Sequence, residues 1–224
     1  MSSPRDSATS VPENYVWPLA ALVAVIVPQV VVPARLRLGP PTLVPLIEGL
    51  VVLVLLAVAA KPGPVPKGAR PLVLSLFWVL IVANTLAATR LVVVVLDGST
   101  VAGLPPTAGR LLVAGAMVLA TNVVTFGLMY WQLDGGGPDA RLAVPAPYPD
   151  FQFPQTGTEG LAPPGWQPHF ADHLYVSFTN LVGFSPADTN PLTKRVKGLM
   201  AVQSMISLAV LVVVLARVIN ILPS

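Results

Sequence analysis

A chain of 224 residues is long enough for one or two soluble domains, but 54% hydrophobic residues, 10% charged residues and a mean hydropathy of +0.74 put it in the membrane class. Thirteen basic against ten acidic residues leave a net charge of +3. These charges are spread thinly, without the clustered Lys and Arg of a nucleic-acid footprint. The absence of cysteine excludes disulfides, thiolate metal sites and cysteine nucleophiles.

Residues 1–14 are Ser- and Pro-containing, lack periodicity and read as a short disordered tail. Arg5 is offset by Asp6 and Glu13, so the tail is not the basic region of a secretory signal, and the first apolar run is read as a retained span. That span is predicted over 15–32, with Tyr15 and Trp17 as interfacial anchors, Pro18 in its first turn and a kink at Pro28. A second covers 42–60 and contains Glu48; a Pro/Gly/Lys loop, 61–70, follows. The third, 71–96, is long enough to cross with tilt and carries Asn84, Thr85, Thr89 and Arg90. The fourth, 107–131, holds Asn122 and ends at Tyr130 and Trp131. Asp134-Gly-Gly-Gly-Pro138 is predicted to break it, and 139–167, Pro-rich and without helical or strand period, reads as an extended surface loop. The last span is predicted over 196–222, after the basic run Lys194-Arg195-Val-Lys197.

The stretch Tyr175–Pro191 lies between two apolar runs and is too short and polar to cross a bilayer. Asp172 favours a helix start nearby, Gly183 is predicted to end that helix, and Ser185-Pro186 forces a turn. The predicted fold is therefore an all-α polytopic membrane protein with five transmembrane helices plus one re-entrant half-helix. It divides into the tail (1–14), a three-helix unit (15–106) and a C-terminal module (107–224) with a Pro-rich loop, 134–170.

Several polar residues could carry chemistry. Glu48 is an ionisable group inside a span, read either as an ion or proton site or as a packing residue paired with Asn84 or Arg90. Asn122 with Thr121 and Thr125, and Gln203 with Ser204 and Ser207, form polar stripes in the two spans flanking the half-helix. They suit a water-lined pore, or equally the gluing of helices in lipid. His169 and His173 stand four apart beside Asp172, but no third ligand is evident, so no metal site is assigned and a capping or pH-sensitive role is preferred. Asp188 is either an ion-attracting carboxylate or a turn former ahead of Thr189-Asn-Pro191. No catalytic constellation and no cofactor motif is present, so no enzyme activity and no cofactor is expected.

Helix, turn, Asp, two residues, Pro and then a basic start to a long apolar helix resembles the pore module of the potassium-channel superfamily. That family reads aromatic-x-Ser/Thr-Phe, a short gap, T-V-G-Y-G-D, two residues and Pro. Tyr175, Ser177, Phe178, Asp188 and Pro191 match without a gap, over a region from about Arg110 onward. Gly183, Phe184, Ser185, Pro186 and Ala187 stand where the filter's Thr, Val, Gly, Tyr and Gly belong. A second register lays Val182-Gly183-Phe184 on Val-Gly-Tyr but needs two extra residues. Two filter glycines are lost in the preferred register, so the resemblance implies the architecture and not potassium selectivity.

By that resemblance the chain is a homotetramer in the bilayer, with Asn180, Gly183, Phe184, Ser185, Pro186, Ala187 and Asp188 as filter-like residues. Asn122, Gln203, Ser204 and Ser207 would line the pore, which would be non-selective or weakly selective for monovalent cations. A non-conducting membrane scaffold and a proton-coupled transporter using Glu48 are the competing readings. The location implied is a bacterial inner membrane. Eight of the thirteen basic residues fall on the face that carries the long loop, which favours a cytoplasmic placement, whereas the resemblance puts loop 134–193 outside.

Overall fold

The computed structural model describes residues 15–31, 43–60, 69–98, 107–141, 148–158, 160–163, 165–185 and 188–221. The chain is mostly helical: α1 (Val16–Val31), α2 (Leu43–Ala59), α3 (Ala69–Asp97) and α4 (Ala108–Leu133) come first. A single 3-10 turn (Asp134–Gly136), α5 (Pro138–Arg141), β1 (Phe151–Gln152) and α6 (Pro154–Gly157) lead to α7 (Phe170–Gly183). β2 (Asn190–Pro191) and α8 (Lys194–Ile221) complete it.

Among the described residues three helices are long and apolar enough to cross a membrane, which makes this a membrane protein: α3, α4 and α8, with mean hydropathies of 2.3, 2.0 and 2.5 over their most apolar windows. The apolar helices α1 and α2 are shorter, at 16 and 17 residues. Pro28 lies inside α1, as expected.

In lipid, apolar side chains gain nothing by leaving the solvent for each other, so close backbone approach and hydrogen bonds must hold helices together. α4 supplies both. It packs against α1, α3, α7 and α8, and its glycines admit two of them. A Cβ at Gly127 would stand 3.2 Å from the Leu174 backbone of α7, and one at Gly115 would stand 3.4 Å from the Val214 side chain of α8. Both neighbours run antiparallel to α4: 127 faces 174 and 123 faces 177 on α7, while 115 faces 214 and 130 faces 203 on α8.

One end of the helix group carries most of the folded connections, and it is here called the cap. Tyr15 at the start of α1 meets Trp131 edge to face at 5.4 Å, and Trp131 meets Phe170 at the start of α7. Arg70, at the start of α3, lies near Gly137. Gly135, Gly136 and Gly137 all take positive φ, which lets α4 stop and the chain fold back within three residues.

The stretch after α4 differs from its expected form. It was predicted as an extended surface loop, but α5, β1 and α6 lie in it, and β1 pairs antiparallel with β2 from beyond α7, with Phe151 opposite Pro191 and Gln152 opposite Asn190. Phe151 and Phe153 are buried, and they pack edge to face or tilted against Tyr130, His173, Trp166 and each other. Aromatic burial and two carboxylates order the segment, and neither force has a sequence period.

Candidate functional site

Three groups of polar side chains are buried. At the cap, Asp134 ends α4 with no measurable exposure. Its Oδ1 accepts the backbone N–H of Asp150 at 2.7 Å and of Phe151 at 3.2 Å, and its Oδ2 lies 3.0 Å from His173 Nε2. His173 Nδ1 faces the His169 carbonyl at 2.8 Å. Both ring nitrogens thus face oxygen, and because a carbonyl can only accept, Nδ1 is the donor to His169.

Asp150, equally buried, accepts from Thr193 Oγ1 and Arg195 Nε on Oδ1 and from the second Arg195 nitrogen on Oδ2. Arg195 also donates to the Leu133 carbonyl at 3.2 Å, and Arg141 donates to the carbonyls of Trp131 and Asp134, both at 2.9 Å. These bonds satisfy the carbonyls that a helix end leaves without partners. They also tie the starts of α7 and α8 to the end of α4.

The second group lies deeper, between α4, α7 and α8. Gln203 Oε1 accepts from Tyr130 Oη at 2.7 Å and from Asn180 Nδ2 at 2.8 Å. Its Nε2 donates to the Ser177 carbonyl and hydroxyl at 3.0 and 2.7 Å. The Ser177 hydroxyl donates to the Val123 carbonyl, Asn180 also donates to the Met200 carbonyl, and Ser204 donates to Asn180 Oδ1. Ser207 donates to the Gln203 carbonyl. Of the stripe predicted to line a pore, Gln203, Ser204 and Ser207 therefore have their hydrogen bonds inside one chain. Asn122 is buried with neither amide atom partnered among the described residues.

The third group joins α1, α2 and α4. Gln29 Nε2 donates to both carboxylate oxygens of Glu48, at 3.0 and 2.9 Å, and to Thr121 Oγ1 at 3.2 Å. The expected partners are corrected here: Asn84 is buried with its Nδ2 unpartnered among the described residues, and Arg90 is exposed on α3. Gln29 takes their place because α1 packs against both α2 and α4. A lone amide in an apolar run was the sequence signal for it.

The turn between α7 and α8 has its own geometry. α7 starts at the cap, where His173 meets Asp134, and descends along α4. Its last ten residues after His173 drop about 15 Å. The chain is back at the cap by Asn190, which pairs with Gln152, and positions 184–190 are long enough, at about 3.4 Å each, to make that return.

Gly183, Phe184, Ser185 and Asp188 are exposed. Pro186 and Ala187, also predicted as filter-like, lie outside the described residues. The helix end is corrected: Gly183, expected to break the helix, is its last helical residue, and Phe184 takes the left-handed cap at φ 54°. Thr189 Oγ1 donates to Asp188 Oδ1 at 3.1 Å, a local turn bond. Among the described residues no three of His, Asp, Glu or Cys come together as a metal site. No family model, no curated protein and no solved structure matches this chain.

Proposed function

We propose that the protein is a channel-like, multi-pass membrane protein: five spans, with α1 and α2 crossing beside α3, α4 and α8, and α7 as a re-entrant half-helix. The observation that carries this reading is the path of α7. It leaves the cap, goes down beside α4, and the chain regains the cap within the next few residues. The turn at the bottom is exposed on the isolated chain. Irregular backbone at membrane depth persists only where protein buries it or water wets it. A ring of copies around a wet axis provides both.

In this proposal four copies bring Gly183–Asp188 together, as in the channel module the segment resembles, and monovalent cations pass with weak selectivity. Asp188 supplies the charge at the turn. One carboxylate 4 Å from a cation in water is worth about 1 kcal/mol, a factor of about five. Flux of sodium or potassium into liposomes holding the purified protein is expected to fall about fivefold in Asp188→Asn. The absence of flux from folded, oligomeric protein would overturn the reading.

A specific observation favours one alternative, a non-conducting scaffold. Gln203, Ser204 and Ser207 are spent on internal hydrogen bonds, and the outward face of α8 carries Met205, Leu208, Val212 and Leu215. The same flux measurement separates the two.

A further inference from the structure

Glu48 is 1% exposed, in the middle of three packed helices. Among the described residues its only hydrogen-bond donor is the Gln29 amide, which is neutral. A carboxylate offers about four acceptor sites, and one nitrogen occupies part of two. Among the described residues Glu48 makes no ion pair with Lys, Arg or His.

The charged and titratable groups on the surrounding helices lie elsewhere. Arg70 and Arg90 on α3 are exposed, Arg110 is eleven residues before Thr121 on α4, about 16 Å along its axis, and Tyr15 and Tyr130 are at the cap. A bare carboxylate in this setting is costly and is expected to acquire a positive charge.

The geometry around Gln29 Nε2 indicates where that charge would sit. The nitrogen has two hydrogens for three oxygens of two other helices, at 2.9, 3.0 and 3.2 Å, so the Glu48 carboxyl keeps acceptor capacity that a proton can use. Turning the amide over would place Gln29 Oε1 against the carboxyl, where it accepts from a protonated Glu48. Asn122, next to Thr121, brings two further buried polar atoms, without a partner among the described residues, to this part of α4.

We infer that Glu48, held by Gln29 beside Thr121, is a site inside the membrane that takes up one proton from water. The proton makes the carboxylate a carboxylic acid and removes the need for a charged partner. The site is separate from the α7–α8 turn and does not depend on the pore reading.

The test uses full-length protein in liposomes and a hydrophobic carbodiimide, which labels protonated carboxyls in apolar surroundings. Mass spectrometry reads labelling of Glu48 from pH 5 to 10 in choline, sodium or potassium chloride, and infrared spectra follow the carboxylic acid band, with Glu48→Gln as the control. Above a midpoint, labelling is expected to fall about tenfold per pH unit, with the infrared band lost in parallel and absent from Glu48→Gln. A midpoint that is the same in all three salts identifies the proton. A midpoint lowered by sodium or potassium would overturn the proton assignment in favour of an alkali ion. Labelling and band that do not change with pH or salt would overturn the inference and leave Glu48 a fixed packing group. Wild-type labelling alone decides this if Glu48→Gln fails to fold. Cation flux that depends on Asp188 but not on Glu48 would leave the pore reading intact whichever way this result falls.

Discussion

Phe184 is the one described non-glycine residue with a positive φ, and it sits where α7 gives way to the exposed turn. The left-handed region costs a residue with a Cβ about 1–2 kcal/mol, whereas glycine enters it freely but gives up about 0.5–1 kcal/mol of chain entropy. Phe184→Gly is therefore expected to be neutral or slightly stabilising. Phe184→Val, β-branched, should unfold at a lower temperature than either, and thermal melts in detergent compare all three. The neighbouring Gly183 was expected to serve as the helix end, and a glycine next to a turn was a fair signal. Local propensity was overruled by packing: Asn180, buried and bonded to Met200 and Gln203 of α8, and Leu181, also buried, keep the last turn helical.

At the scale of elements, the bonds around Gln203 join three helices in one place. Its amide has both acceptor positions and both N–H groups used, by Tyr130 of α4 and by Ser177 and Asn180 of α7. Gln203→Leu leaves these groups buried and unpaired, at a cost of about 1–3 kcal/mol, moderated in membranes where single interhelical bonds average below 1 kcal/mol. A loss of about 2 kcal/mol is expected from denaturant titration. Combining it with Asn180→Ala should cost less than the sum of the two, since they share a bond. The spacing of Gln203 and Ser207 announced one polar face on α8, but spacing alone does not say whether that face meets water or another helix. The cap was less legible. Asp134 and Asp150 are sixteen positions apart in a Gly- and Pro-rich region, and only the fold brings the backbone of one onto the side chain of the other.

For the whole molecule, the proposed assembly places the α7–α8 turns of different copies together and leaves the outer face of α3 in lipid. The absence of cysteine makes this simple to examine. Ser185→Cys, exposed at the turn, is expected to give disulfide-linked dimers on mild oxidation in membranes, and Ser75→Cys, exposed on α3, is not. Equal cross-linking from both positions, or none from Ser185→Cys, would count against a shared axis at the turn.

The sequence by itself determined the class of the protein and the places of its helices. Long apolar runs bounded by Pro, Gly and charge are decided locally, so α3 was expected over 71–96 and found over 69–97, and α8 over 196–222 and found over 194–221. It also singled out Glu48 and the Asn122, Gln203 and Ser207 positions, since polar groups in apolar runs stand out against their surroundings. Only the tertiary structure decided the partners. That Glu48 meets Gln29 rather than Asn84 or Arg90, that Asp134 gathers Asp150 and His173, and that the polar face of α8 turns inward all depend on which helices touch α4. Such contacts join residues far apart in the chain, chosen by helix packing and the need to pair every buried polar group, and no local pattern records that choice.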